Sequence, residues 1–157
     1  MCVSTPRNVL TTHTTISQQI DWLVNAGFTF YWAGTITSDY GPDRDVVQMR
    51  IGPQSANLVG SLCKDMMHRV AVDIDFDVAD RICEILDMLE LKDLPFMLVP
   101  STTSGHWHLY VDKPMPWDEY EDLLARMVKL QIISAEYFGM SVQREMTRLR
   151  RPGARKD

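Results

Sequence analysis

From Val70 to Asp77 the chain reads Val-Ala-Val-Asp-Ile-Asp-Phe-Asp, with apolar and acidic positions in alternation. That period of two predicts a strand, with Val72, Ile74 and Phe76 on one face and Asp73, Asp75 and Asp77 on the other. Elsewhere the period changes. Ile16, Ile20, Leu23 and Val24 recur at helical spacing, which predicts a helix over Ile16–Ala26 ended by Gly27. The aromatic run Phe28–Trp32 predicts a strand, with Asp45–Ile51 as its hairpin partner across a loop at Gly41-Pro42. Gly52-Pro53 breaks that pair, and the mixed spacing of Ser55–Met67 suggests a short helix.

Ile82, Ile85, Leu86 and Leu89 predict an amphipathic helix over Val78–Leu91. Pro95–Val99 and Trp107–Val111 read as strands around the polar loop Pro100–Gly105. Trp117–Leu130 reads as a helix whose first turn carries Asp118, Glu119 and Glu121, which suits the helix dipole. Ile132-Ile133 suggests entry into another strand, Val142–Leu149 fits strand or helix alike, and Pro152-Gly153 ends regular structure. Strands and helices mix without strict alternation, so the expected class is α+β.

Composition changes little in this picture. The 157 residues fit one domain, 1–157. No apolar run reaches membrane-spanning length and no signal-peptide pattern opens the chain, so no membrane partner is expected. Cys2, Cys63 and Cys83 are odd in number and far apart, which suggests no disulfide framework and a reducing, cytoplasmic setting.

Charge adds more. The net charge is −5, yet Ser141–Asp157 holds Arg144, Arg148, Arg150, Arg151, Arg155 and Lys156 against Glu145 and Asp157. A basic end on an acidic body reads as an anion or phosphate site, or as a solubilising tail.

Two stretches carry candidate chemistry. Carboxylates in a row on one strand face either look into water or hold a cation, and Mg²⁺ takes such oxygens together with substrate phosphates. In Ser101–Tyr110 a small polar loop runs into a strand that bears His106 and His108, two positions apart. Hydroxyls, a glycine and an imidazole at that junction suit a phosphate, although a histidine satisfied by a backbone carbonyl is the plainer outcome. The loop lacks the spacing of a Walker or dinucleotide motif, and no nucleophile elbow, zinc-protease or EF-hand pattern occurs.

Taken in order, these pieces resemble the catalytic domain of the archaeo-eukaryotic primase (primase-polymerase) superfamily. Val72-Asp73-Ile74-Asp75 is similar to its first motif, and Ser104-Gly-His-Trp-His108 leading into a strand is similar to its second. Arg150-Arg151-Pro152-Gly153 is similar to an Arg-x-Pro-Gly segment late in the core. The resemblance covers roughly Arg69–Lys156, and residues 1–60 carry no matched motif. The acid of the third motif is missing after Ile132-Ile133, where Ser134 stands; Glu136 is the nearest substitute.

The resemblance implies an antiparallel sheet of RNA-recognition-motif type with flanking helices. It implies a DNA primase that makes or extends primers on a single-stranded DNA template from nucleoside triphosphates. Asp73 and Asp75, with Glu136, would hold Mg²⁺ or Mn²⁺. Ser104, His106, His108, Arg148, Arg150 and Arg151 would bind the nucleotide, with His106 either a second phosphate contact or a bystander. Arg144, Arg155 and Lys156 would face nucleic acid. A separate helical accessory or helicase chain is the expected partner, and the compact length suits a phage replication gene. The other readings are a non-catalytic nucleotide- or single-strand-binding subunit, kept open by the missing acid, and a metal-dependent nuclease.

Overall fold

The computed structural model describes residues 8–9, 14–37, 45–101 and 103–154, with side chains described outside 8–9 and 33–50. The expected loop at Gly41-Pro42 lies outside them, as do Cys2, Arg155 and Lys156. The fold is α+β. In chain order it runs β1 (Asn8–Val9), α1 (Ile16–Ala26), β2 (Thr29–Thr37), β3 (Asp45–Gly52), β4 (Leu58–Gly60), β5 (His68–Ile74), α2 (Ile82–Met88), β6 (Phe96–Pro100), β7 (Trp107–Met115), α3 (Trp117–Lys129), α4 (Ala135–Arg144) and β8 (Arg148–Arg150). A 3-10 turn at Ala79–Arg81 precedes α2.

The strands form two four-stranded sheets, in orders β1-β6-β7-β5 and β3-β2-β4-β8. All pairs are antiparallel except β1 with β6. The first sheet is buried on both faces along its middle, where Phe96–Val99 of β6 and Leu109–Val111 of β7 are apolar. On one face Val70, Val72, Ile74, Leu98 and Leu109 pack with Ile82, Ile85, Leu124 and Met127 from α2 and α3. On the other, Ala71, Met97, Val99 and Tyr110 pack with Leu23 of α1, Phe30 of β2, Val59 of β4 and Leu149 of β8. The second sheet and α1 thus cover the face of the first sheet on which Asp73 stands, two positions along from Ala71.

Local chemistry sets the ends of α1. Thr15 caps it, its side chain accepting from Gln18 N while the Gln18 side chain accepts from Thr15 N, a reciprocal capping box. Gly27, at φ 95°, turns the chain out of the helix in the left-handed region that glycine adopts without strain.

Four expectations need correction. Ser55–Met67 forms β4 and a turn rather than a helix. The helix expected over Val78–Leu91 is shorter, the 3-10 turn taking its start. Ile132 and Ile133 are buried in a turn that leads into α4, not in a strand. Cys63 is a buried free thiol, but Cys83 is disulfide-bonded, which removes one support for a reducing setting. No helix among the described residues is long and apolar enough to cross a membrane.

Candidate functional site

Asp73 pairs with His108 in the β5–β7 register, and His108 pairs with Val99 in the β7–β6 register. Registered residues on neighbouring strands share a face, so Asp73, His108 and Val99 form one row across the sheet. Next to it, toward the middle of the strands, runs Ala71, Tyr110 and Met97. The two histidines bracket the carboxylate. His106 Nδ1 hydrogen-bonds Asp73 Oδ2 at 3.4 Å, and His108 Nε2 lies 3.6 Å from Asp73 Oδ1. Oδ1 is itself buried without a hydrogen-bond partner.

The loop before β7 is held by its own backbone. Ser101 N donates to His106 O, His106 N to Thr103 O, and Thr103 N to Ser101 Oγ. Gly105, at φ 80°, takes the left-handed position this turn requires. The loop therefore delivers His106 and His108 to the sheet at a fixed point.

Beside His108 a cavity of about 220 Å³ opens between the two sheets. Ser101, His108, Arg150, Arg151, Ile16 and Gln19 are among the residues that line it. Arg150 Nη1 is buried and has no hydrogen-bond partner among the described residues. A buried guanidinium N–H and a buried carboxylate oxygen left unbonded are each costly, and such groups call for an account.

Burial pulls His108 down to about 4 from 6.5. Asp73 opposes the shift, while Arg150 and His106 add to it. The imidazole is therefore neutral at pH 7. Tyr110, wholly buried beneath the row with its hydroxyl unbonded, is pushed up by burial and by the Asp73 charge.

The expected site residues divide. Asp73, His106, His108, Arg150 and Arg151 come together. Asp75 does not join Asp73 on the strand: β5 ends at Ile74, because β7 begins at its partner Trp107 and leaves Asp75 nothing to pair with. Asp75 and Asp77 are exposed, and Asp77 Oδ1 accepts from Ala79 N at the turn before α2. The single acidic face expected from Val70 to Asp77 is thus not formed.

Glu136 is exposed in the first turn of α4. That helix approaches the site through Tyr137, whose hydroxyl donates to Arg148 O. Burial raises the Tyr137 hydroxyl well above its ordinary value, with Tyr120, Asp73 and Tyr110 contributing. Ser104 is exposed at the loop tip, and Ser101 is the loop serine that lines the cavity. Arg148 sits beside Arg144 and Tyr137; burial and the Arg144 charge lower it. Arg155 and Lys156 lie outside the described residues.

Ile16 and Gln19 had no sequence signal, since only the packing of α1 over the sheet brings them to β8. Among the described residues no three His, Cys, Asp or Glu side chains form a group that holds a metal ion. No protein-family model, curated protein or solved structure matches the chain.

Proposed function

We propose that the chain is a template-directed nucleotidyltransferase of the primase-polymerase kind. It would bind nucleoside triphosphates at the Asp73–His108–Arg150 cluster and make or extend primers on single-stranded DNA. The observation that carries this reading is the meeting of the three motif-bearing segments at His108, which lies against Asp73 on one side and lines a cavity with Arg150 on the other. Asp73 comes from β5, His108 from β7 and Arg150 from β8, three segments far apart in sequence. At about 220 Å³ the cavity is smaller than the roughly 300–1,000 Å³ of pockets that enclose a whole ligand. It suits the phosphate end of a nucleotide, with the base and sugar lying outside.

The chain's own groups have distinct tasks in this account. The unbonded Nη1 of Arg150 pairs with a phosphate oxygen, for which a guanidinium's planar fork is suited. His108, a neutral imidazole, donates one hydrogen bond to a second oxygen and gains a proton as phosphate charge approaches. His106 orients the Asp73 carboxylate through Oδ2 and leaves Oδ1 free.

That free, buried Oδ1 fits a hard divalent cation, which takes one or two carboxylates and completes its shell with phosphate oxygens and water. Asp73 would hold Mg²⁺ or Mn²⁺ as the one carboxylate the strand presents, since Asp75 is exposed beyond the end of β5. When bound, the ion supplies charge neutralisation on the triphosphate and lowers the pKa of an attacking hydroxyl. The remaining catalysis is positioning and electrostatic stabilisation by Arg150 and His108.

A second reading, a nucleotide-binding subunit without transfer activity, draws on two observations. Asp75 stands beyond the end of β5, and Ser134 stands where a third acid is expected, serving instead as the N-cap of α4. A primer-synthesis and primer-extension assay separates the two. It uses single-stranded template, labelled nucleoside triphosphates and Mg²⁺ or Mn²⁺, with Asp73→Ala as control. Product that disappears in Asp73→Ala supports the transferase. Nucleotide binding without product supports the subunit, whose partner would be a separate helical or helicase chain.

A further inference from the structure

The two sheets meet at their edges, and the contact is made by side-chain hydroxyls rather than by a continuous ladder. β5 is the outer strand of the first sheet and β8 the outer strand of the second. A bridge between Leu62 and His68 starts the junction, and Arg69 N donates to Ser61 O. Farther along, backbone pairing gives way to Tyr120 of α3. Its hydroxyl accepts from Ala71 N at 3.1 Å and lies 3.4 Å from Ala71 O, so it occupies the free edge of β5.

The same Tyr120 oxygen lies 2.6 Å from Thr147 Oγ1, immediately before β8. Thr147 is held from its other side as well. Its N donates to Ser61 Oγ at 3.0 Å and its O accepts from Ser61 N at 2.9 Å. Ser61 Oγ, having accepted from Thr147 N, has its own proton to give to His68 Nδ1 at 3.0 Å. Ser61, Tyr120 and Thr147 are wholly buried and His68 nearly so. A polar chain so deep in the core is costly unless every member is bonded, and then it fixes one arrangement.

The positions it fixes are those that carry the site. Ala71 is two residues before Asp73 on the same face, and Thr147 is three residues before Arg150. β8 has three ladder pairs of its own, Leu58–Arg150, Val59–Leu149 and Gly60–Arg148, with Arg151 N donating to Asn57 O at the far end; this short ladder fixes β8 to the second sheet but not to the first. We propose that Tyr120, with Thr147 and Ser61, is a positioning clamp that sets Arg150 of β8 against Asp73 and His108 across the junction of the two sheets. The value of the clamp for nucleotide binding rests on the function proposed above, but its geometric effect does not.

The test reads the placement of β8 directly. Amide hydrogen exchange at Arg148–Arg150 of β8 and at Met97–Val99 of β6 is followed by NMR at pH 7 in the full chain as wild type, Tyr120→Phe, Thr147→Val and Thr147→Ser, and ATP with Mg²⁺ is titrated into each by calorimetry. Removing the clamp should speed exchange at β8 about tenfold more than at β6 in Tyr120→Phe and Thr147→Val. Thr147→Ser, which keeps the hydroxyl, should exchange like wild type. Tyr120→Phe or Thr147→Val remaining folded with β8 and β6 changing alike overturns the proposal, because a merely stabilising network speeds exchange in both strands together. ATP binding that falls at least tenfold in the same two variants and returns in Thr147→Ser supports the clamp at the proposed site. If ATP binds none of the proteins, wild type included, while β8 exchange still rises selectively, the clamp stands and the nucleotide reading fails.

Discussion

His108 Nε2 stands 3.6 Å from Asp73 Oδ1, at registered positions of two antiparallel strands and beneath the cover of a second sheet. An imidazole and a carboxylate this close would ordinarily favour the charged pair. Here burial wins: His108 is pulled down to about 4, with Arg150 and His106 helping. The neutral form at pH 7 leaves Asp73 Oδ1 without a hydrogen-bond partner among the described residues.

The depressed His108 has a consequence for stability. Between about 6.5 and about 4 the unfolded chain takes up a proton that the folded chain refuses. Stability conferred by a neutral His108 is therefore fully present above about pH 6.5 and is lost as pH falls toward about 4, by up to about 3 kcal/mol. His68, also lowered by burial, acts in the same direction. Urea unfolding at pH 7, 6 and 5 should show this decline, and His108→Gln should make it shallower. Parallel curves for the two proteins would contradict the assignment.

Asp73 and Asp77 look equivalent in the sequence and differ in the structure. Asp73→Asn should abolish metal-dependent activity and weaken nucleotide binding. Asp77→Asn should leave activity within a few-fold of wild type and cost no more than about 0.5 kcal/mol of stability, since the exposed Asp77 supports only the turn at Ala79. Comparison of activity and unfolding midpoints checks both.

Glycines in the last third of the chain should respond in opposite senses. Gly153 has φ +81°, and a Cβ there would meet Ile16 of α1 at 3.0 Å. Gly153→Ala should cost about 1–2 kcal/mol, mainly through backbone strain. Gly139 lies inside α4, and a Cβ added there would meet nothing within 4 Å. Gly139→Ala should raise stability by about 0.5–1 kcal/mol. Thermal unfolding distinguishes them.

The capping box of α1 links the start of the chain to the site. α1 supplies Ile16 and Gln19 to the cavity wall. Thr15→Ala removes the acceptor for Gln18 N and should cost about 1 kcal/mol. Faster hydrogen exchange at Gln18 and its neighbours should accompany the loss. Exchange unchanged there would show that packing alone fixes the start of α1.

Where the apolar period was long and local, the fold was legible. α1 and α3 fall where the helical spacing put them, and the alternation of Val70–Ile74 placed β5 with Asp73 on the opposite face from Val72. The end of β5 was not legible, because it is set by where its partner β7 begins and not by its own residues. Ile132-Ile133 misled for a related reason: a buried apolar doublet fits a strand or a packed turn alike, and the positive φ of Gln131 just before it left no local mark. The His106–His108 loop and the arginines around Arg150 were visible as types at a spacing. Arg148 and Arg150, two apart on β8, share a face; that Arg150 reaches the cavity while Arg148 sits by Arg144 depends on their places along that strand and on the hydroxyls that dock it.

The central claim is that the Asp73–His108–Arg150 cluster receives a triphosphate. The most direct measurement is the NMR signal of the His108 imidazole during titration with a nucleoside triphosphate and Mg²⁺ at pH 7, in wild type and Arg150→Glu. The account predicts saturable movement of the His108 signal in wild type, with a rise in its titration midpoint as phosphate charge replaces the uncompensated guanidinium field. It predicts that Arg150→Glu, though folded, weakens the response at least tenfold. A His108 signal that stays still while the nucleotide binds elsewhere, or binds equally well in Arg150→Glu, would contradict it.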